Sequence, residues 1–145
     1  MARTLTLALF CMLICATAAL AAPRRPDLGV LKLTVTAEDI QAGGSMTIDD
    51  KVGNAGNSTA KPSRIAYYLS VDATKSAGDI PIGSRSVGRI RAGKAVSGSI
   101  TLTAPNAVGL FRVIACADDQ KRVRESNESN NCRAVASDLH LVTSA

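Results

Sequence analysis

From Leu28 to Val142 the apolar residues fall into short runs, each closed by Gly, Asn, Asp or Pro, and no window of about 11 residues carries a helical period. This punctuation limits the chain more than any other feature, because runs of this length that alternate in polarity suit strands and are too short for helices that pack. The runs cover residues 28–35, 45–52, 64–71, 80–90, 96–102, 110–117 and 132–142. Seven strand candidates with turn signals between them predict an all-β sandwich. In 96–102 the apolar residues are Val96, Ile100 and Leu102, with small or polar ones between. Phe111, Val113, Ala115 and Ala117 share one face of the next run, leaving Leu110, Arg112, Ile114 and Cys116 on the other. Val87 and Ile90 both read as core yet lie three apart, which predicts a bulge or an early strand end near Gly88.

The first 21 residues are different in kind. Arg3 is their only charge, and an apolar run from Leu5 to Leu20 closes on Ala19-Leu20-Ala21, the pattern of a secretory signal peptide. Cleavage after Ala21 leaves Ala22 as the first mature residue, whereas cleavage after Ala22 would put Pro23 next to the scissile bond. Lipidation would need a small residue before the modified cysteine, but Cys11 follows Phe10 and Cys15 follows Ile14. The run is also short of the roughly 20 residues that span a bilayer, and no second hydrophobic stretch follows, so no transmembrane segment is expected in the mature chain. Residues 22–27, with two prolines and two arginines, read as an extended lead-in, and residues 28–142 as one domain. Secretion or a periplasmic location is the expectation.

Export gives the cysteines their meaning. Cys11 and Cys15 leave with the signal peptide, and Cys116 and Cys132 remain in an oxidising compartment where pairing is expected. If the strands that carry them form a hairpin, the bridge closes a loop of 15 residues and contributes on the order of 3 kcal/mol. That matters here, because the whole chain has no Trp and only two Tyr and two Phe, so its core must be built from small aliphatic side chains. Cys-x-x-Cys spacing is absent and no histidine lies nearby, which leaves a redox or metal role for the pair unsupported.

Several motifs in order resemble a known family. Pro26-Asp27-Leu28, Gly44-Ser45-Met46-Thr47-Ile48 and Val52-Gly53-Asn54-Ala55-Gly56 are followed by Tyr67-Tyr68-Leu69-Ser70-Val71-Asp72, Gly78-Asp79-Ile80-Pro81-Ile82-Gly83 and Glu125-Ser126-Asn127-Glu128-Ser129-Asn130-Asn131. Each piece is common in β proteins, but the ordered set, spanning nearly the whole mature chain, resembles the cell-adhesion-related domain of bacteria, CARDB. The resemblance implies an immunoglobulin-like β-sandwich in an exported bacterial protein and no catalytic residues. It implies a non-catalytic binding or adhesion-related module that recognises a protein or an envelope polymer through its loops or a sheet edge. The alternative is a structural or accessory component of an envelope assembly, and a small secreted inhibitor or enzyme comes after that.

The remaining candidates for chemistry are few. Two acidic loops could offer oxygens to calcium: one holds Asp72 and Asp79, the other Asp118, Asp119, Glu125, Glu128 and Asn130. In this topology the loops are expected at opposite ends of the sandwich, unable to pool ligands, and Lys75, Lys121, Arg122 and Arg124 interrupt them. Capping of their own turns is the simpler role for these side chains. His140 is the only histidine, and the acid pairs Asp49-Asp50 and Asp118-Asp119 are read as loop residues, so no catalytic site, metal or cofactor is assigned. Arg85, Arg89, Arg91 and Lys94 form one basic group and Lys121, Arg122, Arg124 and Arg133 another. Neither has aromatics beside it for stacking bases, so nucleic acid is not an expected partner. In Tyr67-Tyr68 one ring should face the core and one the surface.

Intact mass of the exported protein is expected to begin at Ala22 and to lie two hydrogens below the dithiol mass. Two free thiols in mass spectrometry under non-reducing conditions would remove the bridge.

Overall fold

Polar and apolar side chains alternate along short segments and build nine strands; the computed structural model describes residues 23–143. The expected signal peptide, with its cleavage point at Ala21 or Ala22, lies outside the described residues. The strands are β1 (Leu28–Val35), β2 (Asp39–Gln41), β3 (Ser45–Asn54), β4 (Ser63–Ser70), β5 (Ile80–Val87), β6 (Ala95–Thr103), β7 (Gly109–Ala117), β8 (Cys132–Ala134) and β9 (Leu139–Val142). One sheet has the order β1-β3-β6; the other runs β2-β9-β7-β4-β5, with β8 paired to β7. The expected all-β sandwich is present. Among the described residues no helix is long and apolar enough to cross a membrane.

The count differs from seven for two local reasons. β2 is a three-residue strand that pairs parallel with β9, too short to carry a period of its own. The run 132–142 is divided, because residues 135–138 leave the sheet between β8 and β9. β5 ends at Val87, before Gly88, as the spacing of Val87 and Ile90 suggested, and Ile90 pairs separately with Ala60. A further irregularity lies inside the β4–β5 pairing, where Tyr67 faces Gly83 but Tyr68 faces Pro81.

The core is aliphatic, with Leu28, Ile48, Val52, Ile65, Leu69, Val113, Ala115 and Leu141 among its buried members and Tyr67 as its fully buried aromatic. Val113, Ala115 and Ala117 belong to it, while Ile114 and Cys116 lie on the other face of β7 and are nevertheless buried. Tyr67 points inward and Tyr68 lies on the outer face, half-buried.

Asp49 and Asp50 are not loop residues. They sit in β3, where Met46, Ile48, Asp50 and Val52 share the inward face. Asp50 is 3% exposed and accepts hydrogen bonds from the Tyr67 hydroxyl (2.6 Å) and from Arg85 Nε (2.8 Å) and Nη2. Arg85 reaches it across Gly98 of β6, where a Cβ would collide with the guanidinium. One carboxylate thus joins β3 of the first sheet to β4 and β5 of the second. Burial, and then the Asp50 carboxylate, push the Tyr67 phenol well above its ordinary range.

Removing one partner of a buried pair strands the other without compensation. Asp50→Ala is expected to cost about 3–5 kcal/mol in urea unfolding, whereas Asp50→Leu combined with Arg85→Met should cost much less. A loss under about 1 kcal/mol for Asp50→Ala would place the pair with exposed ion pairs instead.

Candidate functional site

The loop between β7 and β8 carries four of the six acidic candidates, and the fold uses them unequally. Asp118 is 2% exposed, and its Oδ2 accepts from the Val123 N–H at 2.7 Å. Asp118 and Lys121 have φ of 44° and 49°, and the Lys121 N–H donates to the Asp118 carbonyl at 2.7 Å, closing a tight turn. Glu125 is 3% exposed: Oε2 accepts from the Leu28 N–H and Oε1 from Asn131 Nδ2 at 2.7 Å. Burial raises the Glu125 carboxyl above its usual range and the neighbouring Glu128 and Asp118 add to the rise, while the bonds from Leu28 and Asn131 oppose it. Glu128 accepts from the Glu125 N–H at 3.0 Å.

This loop is therefore more than a solvated hairpin tip. Glu125 caps a strand 97 positions away, the Ser126 N–H donates to the Pro26 carbonyl at 2.9 Å and Asn130 Nδ2 donates to Asp27 at 2.9 Å. Those contacts fasten the extended lead-in. Asn54, buried at the end of β3, holds it from the other side: Oδ1 accepts from the Asp27 and Gly56 N–H groups and Nδ2 donates to the carbonyls of Ser58 and Ile90. Sequence reading missed these long-range roles. Their one local signal is a Glu and an Asn at fixed places in an otherwise exposed polar run.

In the β4–β5 loop the acids cap their own turns. Asp72 accepts from the Thr74 N–H at 2.7 Å, and Asp79 from the Ser76 N–H at 2.7 Å and its hydroxyl at 2.9 Å. Burial works against the Asp79 charge, but the Ser76 and Ser70 hydrogen bonds and Lys75 hold its carboxyl below the usual range. The two loops leave opposite ends of the sandwich and yet meet, contrary to expectation. Lys75 Nζ lies 4.0 Å from the centre of the Tyr68 ring, and Asp119 stands beside the Tyr68 hydroxyl. The meeting encloses an open recess of about 220 Å³, lined by Lys75, Asp118, Asp119, Lys121, Glu128, Asn131 and the two cysteines. What the first loop contributes is a lysine, not carboxylates. Among the described residues no group of three or more His, Cys, Asp or Glu side chains is placed to hold a metal.

Cys116 and Cys132 stand opposite one another on β7 and β8 and are joined by a disulfide. His140, on β9, has Nδ1 3.4 Å from Asp39 Oδ1, with both side chains exposed. The basic groups are dispersed by their partners: Arg85 turns inward to Asp50, and Arg133 donates to the carbonyls of Val30 (3.4 Å) and Leu31 on β1.

The sheet edges differ from one another. β1 is broken by a register shift between Val30 and Lys32 and capped by Arg133; β2 has three residues; β5 carries Pro81 and the irregularity opposite Tyr67/Tyr68. β6 pairs with β3 over nine successive residues without a shift, and its sequence AVSGSITLT holds no charge and no proline. Its inward residues Val96, Ile100 and Leu102 remain partly exposed.

The sequence profile of the CARDB family matches residues 25–135. No curated protein matches the chain. The CARDB domain of a Pyrococcus furiosus protein, solved in complex with di-metal ions, is 18% identical, with a TM-score of 0.61 over 85% of this chain and 99% of that one. Residues 272–376 of a protein assigned to the cell surface in Methanosarcina acetivorans are 17% identical, with a TM-score of 0.56 over 81% of this chain and 93% of that one. A β-glucosidase from Erythrobacter marinus shares the fold at 14% identity and a TM-score of 0.54 over 81% of this chain, but over only 16% of its own.

Burial, and then the Asp119 carboxylate, push the Tyr68 phenol up from 10.0 to about 12. Because the folded value is the raised one, its contribution to stability is complete below pH 10 and is lost as pH rises through about 12. Asp119→Asn is expected to lower the Tyr68 midpoint in spectrophotometric titration and to leave Tyr67 unchanged. An unaltered midpoint would separate the two groups.

Proposed function

The chain belongs to the CARDB family, and from that premise we propose that it is an exported, non-catalytic binding module that recognises an extended segment of a partner protein along β6. The observation that carries this reading is the contrast among the edges. Natural sheets protect their edges with charge, proline, bulges or shortness, because the unpaired N–H and C=O groups of a free edge are a template for another strand. β1, β2 and β5 have such protection and β6 has none. An added strand would pair with main-chain groups and would cover Val96, Ile100 and Leu102, so affinity would come from the backbone and selectivity from alternate side chains.

An extracytoplasmic setting fits the disulfide, which is rare where glutathione and thioredoxin keep thiols reduced. The apolar run at the N terminus supports secretion or transfer to the periplasm.

Capture of partners from culture supernatant or envelope extract tests the reading. Ser97→Lys and Ser99→Lys, both at exposed positions of β6, are expected to abolish recovery of the partner without changing the melting temperature. Recovery that survives both substitutions, or recovery of a polymer in place of a protein, would overturn it.

A further inference from the structure

Two buried acceptor oxygens near the end of β7 have no partner: Oδ1 of Asp118 and Oδ1 of Asn131. Their residues are 2% and 8% exposed and line the same 220 Å³ space. The other oxygen of Asp118 is satisfied by Val123, and the amide nitrogen of Asn131 by Ala117 and Glu125, so turning the amide round would break two bonds. A buried carboxylate oxygen without a donor is costly. Two acceptors with no donor call for a group that only donates or for a cation.

We propose that this recess is a calcium site, with Asp118 Oδ1 and Asn131 Oδ1 as its protein ligands, water completing the shell, and Glu128 and Asp119 contributing charge at its lining without ligating the ion directly. Charge favours an ion over a water molecule. Asp118, Asp119 and Glu128 line the recess and Glu125 lies behind it, against two lysines. Of these, Lys75 is already engaged: its ammonium donates to the Ser76 carbonyl at 2.7 Å and sits over Tyr68, 3.9 Å from Asp79. Lys121 is the remaining internal cation. The donors are all oxygens, and the only sulfurs are locked in the disulfide, so a hard ion is selected over zinc. Calcium accepts irregular geometry and lets water complete its shell, whereas magnesium demands a regular octahedron that two fixed side-chain oxygens do not supply. The ion would tie the end of β7 to the residue before β8 and so stiffen the loop whose Glu125 and Ser126 hold the lead-in. This proposal is independent of what β6 binds.

The test is a thermal melt of the disulfide-intact protein with calcium chloride, against sodium chloride of equal ionic strength, with terbium luminescence sensitised by the adjacent Tyr68 as a second readout. With affinity in the millimolar range of extracellular modules, 10 mM calcium is expected to raise the midpoint by on the order of 5 °C. Asp118→Asn should abolish the calcium response and melt no lower than the parent without calcium, since it removes a buried charge with an unpaired oxygen while its amide oxygen keeps the Val123 N–H. Glu128→Gln retains the bond to the Glu125 N–H and should weaken calcium several-fold, and Asp79→Asn in the other loop should leave the response intact. Equal shifts in calcium and sodium chloride, or a full response in Asp118→Asn, would overturn the site and leave the two oxygens to water or to Lys121.

Discussion

The interior of this sandwich is organised around a charge. Asp50 lies on the inward face of β3 and receives Tyr67 from β4 and Arg85 from β5, so a single carboxylate fixes how the three-stranded sheet is set against its partner. Aliphatic side chains alone would leave that setting loosely specified, since Val, Ile, Leu and Ala can repack at small cost when the sheets slide. A buried ion pair has little to gain in net energy over apolar residues of the same shape, but a misplaced one is strongly penalised. The penalty supplies specificity. Gly98 belongs to the same device, because the guanidinium occupies the space where its Cβ would stand.

A second polar system acts at the end where the lead-in enters. Asn54 satisfies four main-chain groups from three separate segments. Glu125 and Asn131 form a matching pair across from it, joined to Leu28 on one side and Ala117 on the other. The disulfide lies alongside, holding β8 against β7 where three residues of pairing would be a weak anchor. These are local answers to one shortage: a chain with no Trp has few large surfaces to bury, so it orders its loops through hydrogen bonds from side-chain amides and carboxylates to the backbone.

What could be read from the sequence was whatever depends on neighbours along the chain. Alternation gave the two faces of β7, the paired tyrosines gave one inward and one outward ring, and the ordered motifs gave the family. Asp50 was readable too, since Met46, Ile48 and Val52 share its parity, but its charge argued for a loop, and its counter-charge lies 35 residues further on. Arg85 was harder. Its inward direction depends on the slip in pairing between Gly83 and Pro81, and nothing within β5 announces that slip. The meeting of the two acidic loops over Tyr68 could not be read at all, because it is set by how far each loop folds back across the outer sheet. Glu125 looked like solvent-facing polarity for the same reason: its partner is the first residue of β1.

The same residues explain where function is to be sought. The groups that look chemically active in the sequence, namely Asp50, Arg85, Glu125 and Arg133, are spent on holding backbone and sheets together. In the proposed reading, recognition falls to parts the assembly leaves unfinished. Around the perimeter, Arg133 closes the corner between β8 and β1, and Arg85 crosses Gly98 at the corner between β5 and β6. On that second corner the arginine turns inward to Asp50 and so joins the two sheets. β6 ends its sheet with β3 as its hydrogen-bonded neighbour, and that is the edge on which the proposed partner strand would add without displacing the charge that sets one sheet against the other.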